Sequence, residues 1–377
     1  MAPKEKLEDL YDFRDPLEKL KELLSAPVQR NPLIVVKGVR RAGKTSLIKT
    51  TLNELGLPYL IIDGRRFAGA PMIKRKDFFK GLELDLNEMA KKKWWGGIAK
   101  VLKGVDWIKV DSKFPFVHFE WRRWKPGGMD FLTLVFAFQE AARENDTKFV
   151  LVLDEAQEFK RLVDYKLQYP MADIYDNKHE IQMIVSGSQV GLLDDFLEVD
   201  NPEAPLFGRG TTDIDVPRLP EDLAVDFLLK GCKQAKVKID RKAIQQAVDE
   251  LDGIIGWLTL FGRELAEGSA PDGALAQTTK KGSELEAQEL EHFLKTRAQA
   301  RKRYVSILKA AARLRRPARW ITLKTNLDAE ERKRISNKTF SALLGNLVKA
   351  DFLDKKGNEY FVPDPLLARA LRSGLVK

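Results

Sequence analysis

The sequence predicts an α/β fold: a parallel sheet interleaved with helices, then a small helical lid, then a C-terminal winged helix. Three observations carry this. Short apolar, β-branched runs alternate with helical stretches over the first 218 residues. A glycine-bearing loop joins the first of these runs to a helix. The last quarter changes to helix, helix, helix and hairpin. With 377 residues the chain exceeds one ordinary core, so two or three domains are expected.

The first strand is Leu33 to Val36, set off by Asn31-Pro32. It runs into Gly38-Val-Arg-Arg-Ala-Gly43-Lys44-Thr45, which fits GxxxxGK[ST]. The following helix repeats Leu47, Ile48, Leu52 and Leu55 at helical spacing. Strand, loop and helix together make a phosphate-binding loop. Its glycines let backbone N–H groups point inward, and the helix N-terminus adds partial positive charge. The expected nucleotide-binding set is Gly38, Arg41, Ala42, Gly43, Lys44, Thr45 and Ser46, with a partner or the lid as the alternative contact for Arg40 and Arg41, which fill the loop's variable positions. Lys44 is expected on the β- and γ-phosphates and Thr45 on Mg²⁺.

Such a loop requires a carboxylate at a neighbouring strand end. Phe149 to Leu153 is a continuous apolar strand tipped by Asp154-Glu155. Asp154 is expected in the Mg²⁺ shell, and Glu155 is expected to polarise the attacking water. The remaining strands are Pro58 to Asp63, Glu180 to Ser188 and Thr211 to Pro217. Ser188, at the end of the fourth strand, is expected beside the γ-phosphate; a plain Ser/Gly turn is the alternative. Residues 1–218 thus read as a P-loop NTPase sheet with ATP and Mg²⁺ as cofactors.

Residues 81–128 read as an insertion in that sheet. Leu82, Leu86, Ala90, Trp94, Ile98 and Val101 form a helical stripe, and VDWIKV and FVHFEW form a hairpin. The KKKWW run from Lys91 to Trp95 mixes charge with aromatics, as nucleic-acid, membrane-surface or partner-binding segments do. Packing of the insertion against its own hairpin is the favoured reading.

Residues 219–266 read as the helical lid, with Leu223, Phe227, Leu228 and Cys232 on one face. Residues 267–300 read as a linker and connecting helix. The Gly, Ser, Pro and Thr of residues 267–283 suggest a mobile stretch, and Ser283 with Glu286 suggests a capping box. Residues 301–377 read as the winged helix. Ser336 or Asn337 caps its third helix, and Lys355-Lys356-Gly357-Asn358 forms the wing turn. Lys338, Ser341 and Lys349 on that helix, with Lys355 and Lys356 at the wing, are the expected contacts to double-stranded DNA.

Charge supports the division. From Lys295 to Lys377 there are 21 Lys and Arg against 7 Asp and Glu, while the rest of the chain is slightly acidic. That asymmetry fits a nucleic-acid-facing domain or, equally, a solvated charged surface. The single cysteine excludes an intrachain disulfide, and three scattered histidines offer no metal cluster. No apolar run approaches the ~20 residues of a membrane helix. The polar MAPKEKLEDL start does not read as a secretory signal, so a cytoplasmic location is expected.

Seven segments run in order along the chain: YDFRDPLEKL, GVRRAGKTSL, LVLDEAQ, IVSGSQVGLLDDFL, PLFGRGTTDIDV, LDGIIGWLTLFG and NEYFVPDPLLARAL. Together they resemble the archaeal ATPase family within the AAA+/STAND branch of P-loop ATPases. The resemblance implies that Phe13 and Arg14 pack against the nucleotide base. It implies that Arg209, after Phe207-Gly208, sits near the phosphates or at a subunit boundary, in a catalytic role. It also implies a nucleotide-sensing lid motif at Asp252 to Thr259, which here lacks the family's proline. Asp364-Pro365 resembles the family's tail motif and reads as an anchor. The function read from all this is an ATP-dependent switch coupled to a winged helix on DNA. The alternative is a slow signalling switch, or scaffold, whose winged helix binds a protein partner.

Overall fold

The computed structural model describes residues 3–6, 10–11, 14–26, 33–92, 94–111, 116–120, 131–314 and 316–376. Phe13 and the side chain of Arg14 lie outside them, and so does the base contact expected there.

In chain order the first unit contains α1 (Arg14–Ser25), β1 (Leu33–Lys37), α2 (Lys44–Glu54) and β2 (Tyr59–Asp63). Next come α3 (Arg75–Met89), α4 (Trp95–Leu102), β3 (Ile108–Val110), β4 (Val117–Phe119) and α5 (Phe131–Glu144). The unit ends with β5 (Phe149–Asp154), α6 (Gln168–Asn177), β6 (Ile181–Gly187), α7 (Val190–Leu197) and β7 (Thr211–Asp215). Five strands form one parallel sheet in the order β2-β5-β6-β1-β7. Successive side chains alternate between its faces. Leu33, Val35, Leu151, Leu153 and Val185 pack into the core on one side. Ile34, Val36, Val150, Val152 and Ile184 meet Leu47, Ile48 and Leu52 of α2 on the other. Burial on both faces explains why these strands read as unbroken apolar runs.

The insertion does pack on its own hairpin. Asn87 of α3 brackets Val117, accepting its N–H at 2.7 Å and donating to its carbonyl at 3.0 Å. Phe79 meets Trp107 and Phe119 edge-on or tilted. The helical stripe is broken in two, α3 and α4, and Trp95 is buried, so this aromatic pair is not an open binding surface.

The lid is α8 (Glu221–Gln234), α9 (Arg241–Leu251) and α10 (Ile255–Ala266), with Cys232 in its core. The expected mobile stretch is instead the start of one helix, α11 (Pro271–Lys295). Pro271 occupies its first turn, where its missing N–H costs nothing. Its small residues are small because the helix is tightly packed. Thr278, Gly282 and Ser283 are buried, and a Cβ on Gly282 would overlap Leu366. Ser283 therefore lies mid-helix and caps nothing.

The last unit is α12 (Arg301–Arg313), β8 (Ala318–Arg319), α13 (Trp320–Glu331), α14 (Asn337–Lys349), β9 (Asp354–Lys356), β10 (Glu359–Phe361) and α15 (Pro365–Ser373). The strands pair as β8-β10-β9, completing a winged helix. Ser336 caps α14 by accepting the Thr339 N–H at 3.1 Å. Asp364 caps α15 through the Leu366 and Leu367 N–H groups, and its other oxygen accepts the Trp257 indole N–H at 3.1 Å. The tail is thereby tied to the lid: Leu366 lies in the lid core and Leu367 in the winged-helix core. Among the described residues no helix is long and apolar enough to cross a membrane.

Candidate nucleotide site

Parallel β1, β5 and β6 deliver three chain ends to one edge of the sheet. After β1 the loop turns through Gly43, at φ 97°, into α2. Lys44 is buried, and its Nζ donates to the carbonyls of Gly38 at 2.9 Å and Val39 at 3.0 Å. Burial holds its pKa below the usual lysine value. Thr45 Oγ1 donates to Asp154 Oδ2 at 2.8 Å, and Ser186 Oγ donates to Oδ1 at 2.5 Å. Burial, then the neighbouring Glu155, pushes the Asp154 pKa up, while Ser186, Arg65 and Thr45 oppose this.

Glu155 takes a left-handed conformation, φ 50° and ψ 50°. Such a backbone persists only where its surroundings enforce it. Gln157 Nε2 donates to Glu155 Oε2 at 2.7 Å, as do the Ser188 hydroxyl at 2.7 Å and the Ser188 N–H at 3.2 Å. Burial opposes its charge, yet Lys44 and these hydrogen bonds hold its carboxyl below the usual range. The Ser188 hydroxyl, expected beside the γ-phosphate, is hydrogen-bonded to Glu155 at the same strand edge.

The Thr45 hydroxyl and Asp154 carboxylate suit a hard divalent cation such as Mg²⁺. Among the described residues no three His, Cys, Asp or Glu gather as a cage. A cation here would therefore share its shell with phosphate oxygens.

The two loop arginines turn away from the phosphate cradle. Of the two places expected for Arg41, the nucleotide or the lid side of the loop, its guanidinium takes the second, pairing with Glu286 and, at 2.6 Å, with Glu289 of α11. It also lies 4.3 Å over the Trp257 ring of the lid. Two carboxylates and an aromatic face outbid solvent for that side chain. Arg40 pairs with Glu289 at 2.7 Å and lies 4.9 Å over Phe352 of the winged helix. The lid motif reaches the loop as well, Gly256 N–H donating to the Arg41 carbonyl at 3.0 Å. Asp351 lies beside Phe352 in the left-handed region, φ 59°. Burial raises its carboxyl to about 6, against the pull of Arg40, Lys44 and Arg218. Val39, Arg40, Arg218, Asp351 and Asp364 enclose a crevice of only ≈ 10 Å³.

Arg209 does not reach the phosphate loop of its own chain, the first of the two places the resemblance implies; the second, a subunit boundary, involves another chain. Leu33 N–H donates to the Gly210 carbonyl, so Arg209 sits at the start of β1, and the loop follows its end. Five residues of strand separate them, about 17 Å. There Arg209 is held by Asp176 in a two-pronged ion pair.

On the winged helix, Lys338, Ser341, Lys355 and Lys356 are exposed. The Ser341 hydroxyl also accepts the Trp320 indole N–H at 3.2 Å. Lys349 is not part of that face. It pairs with Asp195 of α7 at 2.8 Å, and its backbone packs on Gly191, because α14 seats its C-terminal end on the sheet domain. The sequence reading assigns no site role to Gln157, Arg65, Glu289 or Asp351, and it takes Glu286 for a helix cap. Only Arg65 had a local signal, a charged pair around a glycine (Asp63-Gly64-Arg65) at a strand end.

Comparison with known proteins agrees with this architecture. Residues 298–363 match the model of the MCM protein C-terminal winged helix-turn-helix domain. The Walker-type ATPase of Pyrococcus abyssi is similar at 29% identity and TM-score 0.80, covering 99% of each chain. The ORC2 protein of Aeropyrum pernix shares the fold at 12% identity and TM-score 0.56, over 98% of this chain and 93% of that one. No curated protein matches the sequence. The protein has the P-loop NTPase fold with a C-terminal winged helix, and its structural neighbours include that Walker-type ATPase and that ORC2 protein.

Proposed function

We propose that the protein is a Mg²⁺-dependent ATPase whose nucleotide state releases or retains the winged helix, which contacts double-stranded DNA. One observation carries the coupling. The variable arginines of the phosphate loop, Arg40 and Arg41, are the residues that α11, the lid and the winged helix grip. Any rearrangement of the loop is thereby felt by Phe352 and Asp351.

Bound Mg²⁺ would supply charge neutralisation at the β- and γ-phosphate oxygens, held by Thr45 and Asp154. Lys44 exchanges the Gly38 and Val39 carbonyls for phosphate oxygens. Glu155, ionised, accepts a proton from the attacking water once it turns from Ser188 and Gln157. Asp351 repels a triphosphate from the roof of the same loop, so nucleotide entry and winged-helix closure oppose each other. Linkage then makes the coupling reciprocal: a ligand that favours the open winged helix strengthens nucleotide binding equally.

Lys338, Lys355 and Lys356, with the exposed Arg332, Lys333 and Arg334, give a basic face suited to duplex phosphates. The MCM-type match and the similarity to a Walker-type ATPase support the reading. A second reading has a protein partner there. It is favoured by Ile321, 60% exposed at the start of α13. Calorimetry with ATP on wild type and Lys44→Ala tests the first half; equal affinity would refute the phosphate-loop assignment. Duplex binding over a salt series tests the second. Lys355→Ala/Lys356→Ala is expected to flatten the log–log salt slope by about two. No duplex binding at low salt would leave the protein-partner reading.

A further inference from the structure

The site contains a second arginine arrangement that none of the roles above uses. Parallel pairing sets Asp63 of β2 directly beside Asp154 of β5. The chain then turns tightly through Gly64, where a Cβ would overlap the Glu155 carbonyl oxygen. That close approach brings Arg65 to the carboxylates. Asp63 fixes it three ways: its Oδ1 accepts the Arg65 N–H at 3.0 Å and Nε at 2.9 Å, and its Oδ2 accepts Nη2 at 2.8 Å. The mount is stiff, because Arg66 pairs with buried Asp85 at 2.6 Å. From this fork, Arg65 Nη2 lies 3.6 Å from Asp154 Oδ2, the same oxygen that accepts the Thr45 hydroxyl. The side chain is 53% exposed, so it has room to move aside.

We propose that Arg65 is a positioning residue that competes with the divalent cation for Asp154. The inference rests on the reading that Thr45 and Asp154 take a cation together with a nucleotide. The guanidinium partly neutralises the metal-side oxygen of Asp154. A cation reaching that oxygen has to work against a fixed positive charge beside it, and Asp63 retains Arg65 as it yields. Metal loading is thereby made weaker and more dependent on the phosphates than the Thr45–Asp154 pair alone would make it.

Mn²⁺ serves as the probe, titrated into the full chain with saturating ADP and followed by the paramagnetic signal of the free ion. Arg65→Ala is expected to tighten Mn²⁺ binding at least threefold, and Arg65→Lys to change it less than twofold. Arg65→Gln, which keeps a polar side chain at the turn, is expected to follow Arg65→Ala and serves if the alanine variant misfolds. A purely structural role predicts the opposite, since loosening the turn would weaken the metal. Unchanged or weaker Mn²⁺ affinity in folded Arg65→Ala or Arg65→Gln overturns the proposal. Asp154→Asn separates this from failure of the site reading: if it binds Mn²⁺ as wild type does, or if wild type binds none, the cation site itself is misassigned and the proposal falls with it.

Discussion

Glu289→Gln probes, with the least change in shape, the contact between the phosphate loop and α11, whose C-terminal half packs into the winged-helix core. Glu289 bridges Arg40 at 2.7 Å and Arg41 at 2.6 Å. A buried charge-assisted hydrogen bond contributes about 1.5–3 kcal/mol net. The Glu289 side chain is 32% exposed, which screens both pairs, so about 1 kcal/mol each is the appropriate scale. Losing both shifts the closed-to-open ratio by about 2 kcal/mol, or about 30-fold. Hydrogen exchange reads this directly. Peptides covering 350–364 and 38–45 should exchange at least tenfold faster, while those of β5 and β6 should not change. Apparent ATP affinity should rise, because less of the protein is held in the closed form. Unaltered exchange and unaltered affinity in a variant of normal thermal stability would refute the idea that these arginines hold the winged helix.

The remaining expectations concern the carboxylates. Glu155→Gln keeps the Ser188 and Gln157 neighbourhood but loses the base; ATP binding should persist in calorimetry while turnover falls about 100-fold or more, and normal turnover would assign the water to another group. Asp351 predicts a pH dependence of closure. Its carboxyl rises from 3.8 to about 6 in the closed form, so that form holds more protons between those values. Closure is therefore strongest at low pH and weakens as pH rises through about 6, by at most about 3 kcal/mol. Exchange of the 350–364 peptide at pH 5.5 and 7.5, corrected for intrinsic rates, measures it; a closure that tightens with pH, or one unaffected by Asp351→Asn, contradicts the assignment.

Much of the fold and the chemical half of the site were legible in the sequence. Apolar runs of strand length, the glycine spacing before Lys44 and the Asp154-Glu155 tip are all local patterns. So are the Ser336 cap and the Lys355-Lys356-Gly357-Asn358 turn. Each is written within a dozen residues, because backbone geometry and side-chain periodicity act over that distance. The stretch from 267 to 283 shows where local reading fails. Gly, Ser and Thr raise chain freedom in isolation, but α11 uses them to let Leu366 and Trp257 come close. Propensity was overruled by packing.

What each charged side chain does was decided by tertiary structure. Arg41 and Glu286 are 245 positions apart in the chain, and no spacing rule joins them. The same holds for Lys349, drawn from the expected DNA face to Asp195, and for Arg209, placed by the parallel register at the far end of β1. Arg65 meets Asp154 only because β2 lies beside β5. The sequence by itself determined that this chain builds a phosphate cradle, a lid and a winged helix. Which surfaces close on that loop, and therefore which charges meet there, followed from burial between distant elements. A charge takes its role from its nearest opposite charge and the water excluded around it, and both are set only when the chain has folded.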